Sequence, residues 1–306
     1  METLTIGSGE IELSEYGAPG RPGWADVDWT LYRRSAIVED RKVNYVDLGD
    51  PSALPVVFIH GLAGCWQNWL ENLLPFASRY RVIALDLPGF GQSEMPRDGI
   101  SIPAYSHLVH TLLGQLGVAD AALVGNSMGG QISVQMAIDH PQLVRSLIPV
   151  SPAGIGTIQN RPELLRPVGR ALESVMRGSV SMRELCVRRP GLRRMTLLAL
   201  AAHPEKLRNE LAYELMGGAG KPGFTDALYA VTSHDYRDRL GEITAPTLLV
   251  WGRSDRLITH RDADRYVKRI PNARKVIIRD TGHMAMLERP AWFNSFVSDF
   301  IDGSSR

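Results

Sequence analysis

The chain has 306 residues, 44% of them apolar and 22% charged, and its net charge at pH 7 is +1. This balance is typical of a globular protein with a large core and lacks the strongly basic character of a nucleic-acid or membrane-surface binder. The two cysteines, Cys65 and Cys186, fit neither a disulfide framework nor a metal site, which predicts a cytoplasmic protein without a metal.

The N-terminal segment carries no secretory signal pattern, and no run approaches the roughly 18 apolar residues of a membrane span. We therefore expect no stable membrane insertion. Residues 1–28 are rich in glycine, proline and acidic side chains, which predicts an extended arm with one short strand around Ile11 to Leu13. The aromatic residues Trp24, Trp29 and Tyr32 indicate that the arm packs against the rest of the protein.

Eight later segments have the composition of β-strands, and helical patterns separate most of them. The strands are predicted at Leu31–Val38, Lys42–Leu48, Pro55–Ile59, Arg81–Leu85, Ala121–Val124, Leu143–Val150, Thr247–Trp251 and Arg274–Ile278. Helices are predicted at Trp66–Ser78, Pro103–Leu116, Ile132–Ile138, Asp262–Ile270 and Trp292–Ile301. Short apolar strands alternating with helices are typical of a doubly wound, mostly parallel α/β sheet.

The alternation stops between residues 152 and 235, where helical periodicity continues without a buried strand. We predict that this stretch is a helical cap inserted into a core made of residues 29–151 and 236–306. The apolar positions behind this prediction are Leu164, Leu165, Val168, Leu172, Met195–Ala202, Leu207, Leu211 and Leu215. A solvated face is the expected role of the cap arginines, and a funnel for an anionic substrate is the alternative. These arginines are Arg161, Arg166, Arg170, Arg177, Arg183, Arg188, Arg189, Arg193 and Arg194.

One stretch combines a strand, a sharp turn and a helix. The apolar run ending at Val124 is followed by Gly125-Asn126-Ser127-Met128-Gly129 and then by a helical pattern. Strand, G-x-S-x-G and helix form the context of a nucleophile elbow, in which a strained corner serine stands beside a helix N-terminus. A glycine-rich turn with an incidental serine is the alternative.

A nucleophilic serine needs a base, and the base needs a third group that fixes its tautomer. His283 lies in a short loop after a late strand, and Asp255 follows the strand before it. The order Ser127, Asp255, His283 is the order of one particular fold class. Asp280 is a rival acid, although its closeness to His283 in the chain makes it hard for its carboxylate to reach around the ring. Six other histidines fall in helical, cap or helix-boundary segments and are expected to be structural or exposed: His107, His110, His140, His203, His234 and His260.

The predicted chemistry also needs donors for a developing oxyanion. The backbone N–H groups of Met128, directly after the nucleophile, and of Leu62, in the loop after the Pro55–Ile59 strand, are the candidates. His60 is expected to hold that loop by hydrogen bonds. The side chains expected to contact a substrate are those of Leu62, Met128, Leu257 and Met284.

Five motifs occur in order at the predicted strand ends. They are H-G-L-A-G (60–64), D-L-P-G-F-G-Q-S (86–93), G-N-S-M-G-G (125–130), W-G-R-S-D (251–255) and D-T-G-H (280–283). Together they resemble the α/β-hydrolase fold family of serine hydrolases from about residue 30 onward. The resemblance implies that Ser127 is the nucleophile, Asp255 the acid and His283 the base, that the insertion is a lid, and that no cofactor is needed. The elbow is similar to those of carboxylesterases, monoacylglycerol-type lipases and carbon–carbon hydrolases of ring-fission products.

Serine at the elbow, where relatives that open epoxides or remove halides carry aspartate, points to acyl chemistry. The leading expectation is an esterase that cleaves a small-molecule ester with an apolar acyl group through an acyl-enzyme, acting as a monomer or homodimer without nucleic-acid partners. Carbon–carbon bond hydrolysis is the alternative, because the segment Ser151–Gly156 resembles the start of the cap in such enzymes. The short H-G-L-A-G loop argues against it. A hydrolase fold used as a ligand-binding receptor without turnover is the alternative from another class.

Overall fold

The computed structural model describes residues 10–11, 15–18, 20, 22–156, 180–216 and 220–304. Within these ranges, nine strands form one sheet in the order β1-β9-β8-β7-β6-β4-β5-β3-β2. They are β1 (Glu10–Ile11), β2 (Arg33–Val38), β3 (Arg41–Leu48), β4 (Pro55–Ile59), β5 (Arg81–Leu85), β6 (Ala121–Asn126), β7 (Val144–Val150), β8 (Thr247–Gly252) and β9 (Ala273–Ile278). The β2–β3 and β3–β5 pairs are antiparallel and the other pairs are parallel. The predicted mostly parallel, doubly wound sheet is confirmed, and its eight predicted strands are β2 to β9.

Helices fill the connections between the strands. The α-helices within the described residues are α1 (Leu70–Ala77), α2 (Ile102–Gln115), α3 (Met128–Asp139), α4 (Val180–Arg188), α5 (Pro190–Leu197), α6 (Asn209–Leu215), α7 (Phe224–Ser233), α8 (Asp262–Val267), α9 (Ala285–Glu288) and α10 (Pro290–Gly303). The 3-10 turns are Gly23–Asp26, Trp29–Leu31, Trp66–Trp69, Pro204–Lys206 and Arg237–Glu242. None of the helices in the described ranges is long and apolar enough to cross a bilayer.

The core lies on both faces of the sheet, because successive strand residues point to opposite sides. In β4, Val57 and Ile59 join the apolar cluster on one face, while Val56 and Phe58 join the cluster on the other. Helices α2, α3 and α8 contribute to the first cluster, and α1, α9 and α10 to the second. The carboxyl ends of the parallel strands therefore meet at one edge of the sheet, between two helical layers.

The N-terminal arm adds the ninth strand. Glu10 and Ile11 pair in parallel with Ile277 and Ile278 at the outer edge of β9. The arm strand was expected around Ile11 to Leu13, and residues 12–14 lie outside the described residues. The indole N–H of Trp29 donates to the carbonyl oxygen of Trp24 (3.0 Å), and Trp24 is buried in the second apolar cluster.

One predicted helix opens differently in the structure, and one apolar stretch of the cap is only partly helical. The helix expected from Trp66 opens as a 3-10 turn, and the α-helix begins only at Leu70. The helical pattern expected at Met195–Ala202 lies only partly in a helix, because α5 spans Pro190–Leu197. The start of α5 is set by Pro190, since proline favours the first turn of a helix and cannot continue a preceding one.

Helices α4 to α7 lie in the predicted cap, between β7 and β8 in the chain. The expected positions at Leu164, Leu165, Val168 and Leu172, and the arginines at 161, 166, 170 and 177, lie outside the described residues. The expectation of a solvated face is wrong for Arg193, which is only 5% exposed. Its guanidinium donates to the carbonyl oxygens of Val187 (3.1 Å) and Glu205 (2.6 Å) and to the Asn209 side chain. A planar group with five N–H donors can be buried when carbonyl acceptors surround it, and here it joins three cap segments.

Candidate active site

Ser127 occupies the corner between β6 and α3. Its backbone has φ 55° and ψ −114°, a conformation that non-glycine residues rarely adopt. The Ser127 N–H donates to Val150 O (2.9 Å), and its carbonyl oxygen accepts from the N–H groups of Gln131 (3.0 Å) and Ala153 (3.1 Å). These bonds hold the strained corner in place, as expected of a nucleophile elbow.

The glycines on either side of Ser127 allow the corner to be this tight. A Cβ atom on Gly125 would overlap Gly129 O, and a Cβ on Gly129 would overlap Ile59 O. Helix α3 therefore begins directly against β6 and the end of β4, an approach that only glycine permits.

Asp255 and His283 are in direct contact, as their chain order predicts. His283 Nδ1 lies 2.8 Å from Asp255 Oδ2, and both side chains are almost wholly buried. Asp255 Oδ1 accepts two backbone N–H groups, from Leu257 (2.8 Å) and Ile258 (3.0 Å). Burial raises the pKa of the Asp255 carboxyl, but the charge of His283 and these hydrogen bonds outweigh burial and hold the pKa below its usual value. An ionised Asp255 can only accept, so Nδ1 of His283 carries the proton and Nε2 is left as the base.

The rival acid is engaged elsewhere. His203 Nε2 donates to Asp280 Oδ1 (2.6 Å), and the Asp280 side chain is 58% exposed. The structure thus places Asp255, not Asp280, on the imidazole of His283.

Asn126, the last residue of β6, connects the candidate base to the strand that leads into Ser127 through hydrogen bonds. Its side-chain amide donates to His283 O and to Val150 O, both at 3.2 Å. The residue before the candidate nucleophile therefore fixes the backbone of the candidate base. The sequence prediction gave Asn126 no role, although a polar residue at the end of a wholly buried strand was a signal for one.

The loop after β4 runs beside Ser127. A Cβ on Gly61 would lie 3.1 Å from the Cβ of Ser127, so the backbone leading to Leu62 passes next to the candidate nucleophile. His60 is fully buried, and its Nε2 accepts the Leu87 N–H (2.9 Å), so its Nδ1 donates to Gly61 O (2.7 Å). Burial lowers the pKa of His60 and outweighs the nearby charge of Asp86, which raises it. The lowered pKa keeps the ring neutral. These contacts are those of a residue that holds the loop.

The four residues predicted to contact substrate have different environments. Leu62 is partly buried beside the first apolar cluster, and Leu257 is 41% exposed. Met128 is fully buried in the first cluster, and Met284 is 5% exposed in the second. Their contact with substrate stays a prediction, as does the assignment of the Leu62 and Met128 N–H groups to the oxyanion.

The residues that the structure describes contain no cluster of side chains suited to binding a metal ion. No group of three or more histidine, cysteine, aspartate or glutamate side chains within these ranges is arranged to hold an ion. Cys65 and Cys186 are buried free thiols, and burial, with the nearby Asp86 charge, raises the pKa of Cys65 to about 12. A thiol so rarely ionised is a poor nucleophile.

Comparison with known proteins agrees with this geometry. The chain is 31% identical over 277 residues to the dihydrolipoyllysine-residue acetyltransferase component of an acetoin cleaving system from Cupriavidus necator, covering 88% of this chain and 68% of that protein. It is 32% identical over 257 residues to a 2-hydroxy-6-oxononadienedioate/2-hydroxy-6-oxononatrienedioate hydrolase from Cupriavidus pinatubonensis, covering 80% of this chain and 86% of that protein.

A similar solved structure is that of a membrane phospholipase A, a bacterial virulence factor. It superposes with a TM-score of 0.72 at 27% identity, covering 93% of this chain and 89% of that one. The sequence model of the alpha/beta hydrolase fold matches residues 55–290, which include Ser127, Asp255 and His283. The chain belongs to the alpha/beta-hydrolase family.

Proposed function

We propose that this protein is a serine hydrolase, similar to carboxylesterases and monoacylglycerol lipases, that cleaves carboxylic esters of apolar acyl substrates through an acyl-enzyme. One observation carries the proposal: the buried Asp255–His283 hydrogen bond of 2.8 Å, whose histidine is tied through Asn126 to the strained Ser127 elbow. An aspartate that fixes the histidine tautomer leaves Nε2 free to take a proton from a serine hydroxyl.

Acylation begins when Ser127 Oγ attacks the ester carbonyl carbon while His283 Nε2 takes the hydroxyl proton. The carbonyl electron pair moves onto oxygen, and the N–H groups of Met128 and Leu62 stabilise the resulting oxyanion. When the tetrahedral intermediate collapses, the carbon–oxygen bond to the alcohol breaks, and the alcohol leaves with the proton from His283. Asp255 stays ionised throughout and stabilises the imidazolium.

Deacylation repeats these steps with water as the nucleophile. His283 Nε2 takes a proton from water as the hydroxyl oxygen bonds to the acyl carbon, and the second intermediate releases the carboxylic acid. Ser127 recovers its proton from His283. One ester and one water molecule give one carboxylic acid and one alcohol, so the reaction consumes no cofactor.

The proposed substrate class follows from the apolar side chains near the elbow. Leu62 lies in the candidate oxyanion loop, Met284 directly follows the candidate base, and the cap contributes leucine and alanine side chains to the second apolar cluster. We place the protein in the cytoplasm, as a monomer or homodimer that acts on a free small molecule.

The direct test compares wild type with Ser127→Ala on p-nitrophenyl esters of increasing acyl length. We expect Ser127→Ala to lose roughly 10⁴-fold or more in kcat, as removal of a nucleophile does. Ser133→Ala is the matched control, since it removes the hydroxyl of a serine in the adjacent helix α3, which donates to Gly129 O (2.8 Å). Ester hydrolysis that survives in Ser127→Ala would sink the proposal.

Carbon–carbon bond hydrolysis is the second candidate, favoured by the 32% identity to the 2-hydroxy-6-oxononadienedioate hydrolase. Among the cap arginines, Arg193 is not free to hold a substrate carboxylate, because carbonyl oxygens surround its guanidinium, whereas Arg188, Arg189 and Arg194 are exposed. Loss of the visible absorbance of 2-hydroxy-6-oxo-6-phenylhexa-2,4-dienoate, compared with p-nitrophenyl butyrate turnover, separates the two. The larger kcat/KM identifies the bond cleaved.

A receptor without turnover is the remaining alternative. Wild type that neither hydrolyses any ester nor reacts with a serine-directed fluorophosphonate would support it. Labelling at Ser127 together with ester turnover would exclude it, because the label reports an activated serine and the turnover reports hydrolysis.

A further inference from the structure

A buried carboxylate lies directly behind the loop that carries His283. Glu288, at the end of α9, is fully buried, and its side chain accepts the backbone N–H groups on both sides of His283. The Gly282 N–H lies 2.9 Å from each carboxylate oxygen, and the Met284 N–H lies 3.2 Å from Oε1. One side chain, which makes no hydrogen bond to the imidazole, therefore holds the backbone on both sides of His283.

The same carboxylate joins the cap and the N-terminal arm. Glu288 Oε2 accepts the N–H of Ala202, in the cap segment, at 2.9 Å, and the hydroxyl of Tyr16, in the arm, at 2.8 Å. The Tyr16 oxygen in turn accepts the His203 N–H (3.0 Å). The arm thus links the cap backbone to the carboxylate that holds the His283 loop.

A second anchor reinforces the first. The Arg289 side chain is 2% exposed, and its guanidinium donates to Thr281 Oγ1 (3.1 Å) and to the carbonyl oxygens of Asp280 (3.0 Å) and Glu15. It also lies 4.9 Å from the centre of the Tyr16 ring. The loop from residue 280 to 284 is therefore held by two side chains, and both of them contact the arm.

The chemistry of this cluster requires an ionised carboxylate. All four groups bonded to Glu288 are donors, and a carboxylate satisfies them fully only when both oxygens can accept. Burial raises the pKa of Glu288, and the hydrogen bonds oppose that rise. A buried charge is weak as a source of stability, but it is well suited to fixing a single geometry.

We propose that the N-terminal arm is a positioning element for His283, acting through Tyr16 and Glu288. Tyr16 and Glu288 are positioning residues, since neither touches the reacting atoms. The inference rests on the proposed function, because it assumes that His283 is the general base. It gives residues 15–18 a part in the reaction that their sequence did not indicate.

The test compares Tyr16→Phe with a matched control, Tyr80→Phe. Each variant removes one phenol hydroxyl that donates to a carboxylate, since Tyr80 donates to Asp302 Oδ1 at 2.7 Å. Tyr80 immediately precedes β5, at the amino edge of the parallel strands, away from Ser127 and His283. Tyr16→Phe should lower kcat on p-nitrophenyl butyrate by about tenfold, with KM unchanged within about twofold, because a misplaced base slows chemistry more than binding.

Two further readouts separate positioning from stability. The rate of Ser127 labelling by a fluorophosphonate should fall in parallel with kcat in Tyr16→Phe. Hydrogen exchange in the peptide spanning residues 280–287 should rise in Tyr16→Phe and stay at the wild-type rate in Tyr80→Phe. Glu288→Gln should show the same pattern more strongly if it folds.

The inference is overturned if Tyr16→Phe keeps the wild-type kcat and labelling rate, or if Tyr80→Phe loses as much as Tyr16→Phe. Ser127→Ala, measured in the same series, separates this outcome from failure of the proposed function. An inactive Ser127→Ala beside a fully active Tyr16→Phe refutes only the positioning role. An active Ser127→Ala refutes the acyl-enzyme, and with it the positioning of a base.

Discussion

Replacing Asp255 with asparagine tests the candidate acid with little change of shape. The Asp255 carboxylate accepts the N–H of Leu257 and Ile258 on one oxygen and the imidazole of His283 on the other. Asparagine keeps an oxygen for the two backbone groups but turns an NH₂ donor toward Nδ1. Nδ1 must then accept, so the ring proton moves to Nε2 and the base is lost.

The expected loss is large because the wrong tautomer removes general-base assistance altogether. A loss of about 10⁴-fold in kcat corresponds to about 5.5 kcal/mol of transition-state stabilisation. The effect on folding is smaller and depends on pH. The folded-state pKa of Asp255 is below its unfolded value, so ionised Asp255 stabilises the fold above about pH 3.9, and this stabilisation is lost as the pH falls through the folded pKa. The wild-type advantage in unfolding free energy should therefore shrink toward pH 3.

The assay measures kcat on p-nitrophenyl butyrate for Asp255→Asn and for Asp280→Asn, the rival acid. Asp280 is bonded to His203 and is mostly exposed, so Asp280→Asn should stay within about threefold of wild type. Equal losses in the two variants, or an active Asp255→Asn, would refute the assignment of Asp255 as the residue that fixes the base.

Three further predictions follow from strain, charge and hydrogen bonding. Ala63 has a φ of 59°, and Ala63→Gly should raise the unfolding free energy by up to about 1 kcal/mol, since relief of left-handed strain exceeds the entropic cost of glycine. A lower melting temperature would contradict this. Burial, and then the charge of the stacked His110 ring 3.9 Å away, lower the pKa of His140, so wild type should lose stability relative to His140→Gln as the pH falls from 7.5 to 5. Urea unfolding at both pH values measures this, and a constant difference would count against it. Asn126→Ala loses the hydrogen bond to His283 O and should lower kcat by about tenfold or more with little change in KM, whereas a rise in KM alone would indicate a role in binding.

The sheet and the three candidate catalytic residues were predictable because their signals are local. A strand buried on both faces is a short apolar run, as at Val56–Ile59, and β4 is indeed covered on both sides. Ser127, Asp255 and His283 lie in the segments that follow the buried carboxyl ends of β6, β8 and β9. The order of the strands then brings the three loops to one edge, although nothing in any single loop specifies its neighbours.

The hydrogen bonds of the arm, the strand β1 and the burial of Arg193 could not be predicted from the sequence, because they depend on contacts between separate segments. Tyr16 and Glu288 are 272 residues apart, and neither lies in a motif that marks it as a hydrogen-bonding residue. β1 has only two residues, too few for a periodic pattern, and it becomes a strand by pairing with β9. Arg193 is buried although its side chain is charged, because two carbonyl oxygens and one amide oxygen accept its N–H groups. Only the tertiary structure brings these oxygens together.

The distribution of backbone strain supports the same edge as the place of chemistry. Among the described residues, six non-glycine residues have positive φ, and two of them, Glu39 and Asp40, form the β2–β3 hairpin turn. The other four follow the carboxyl ends of parallel strands: Ala63, Ser127, Ser151 and Asp280. Strain of this kind costs about 1–3 kcal/mol per residue and persists only where surrounding bonds enforce it. The strained residues lie in the loops after β4, β6, β7 and β9. The backbone strain therefore lowers the stability of the fold at the edge where Ser127 and His283 lie. The hydrogen bonds from Asn126, Glu288 and Arg289 hold the loop that carries His283, so the loss of one of them should lower kcat.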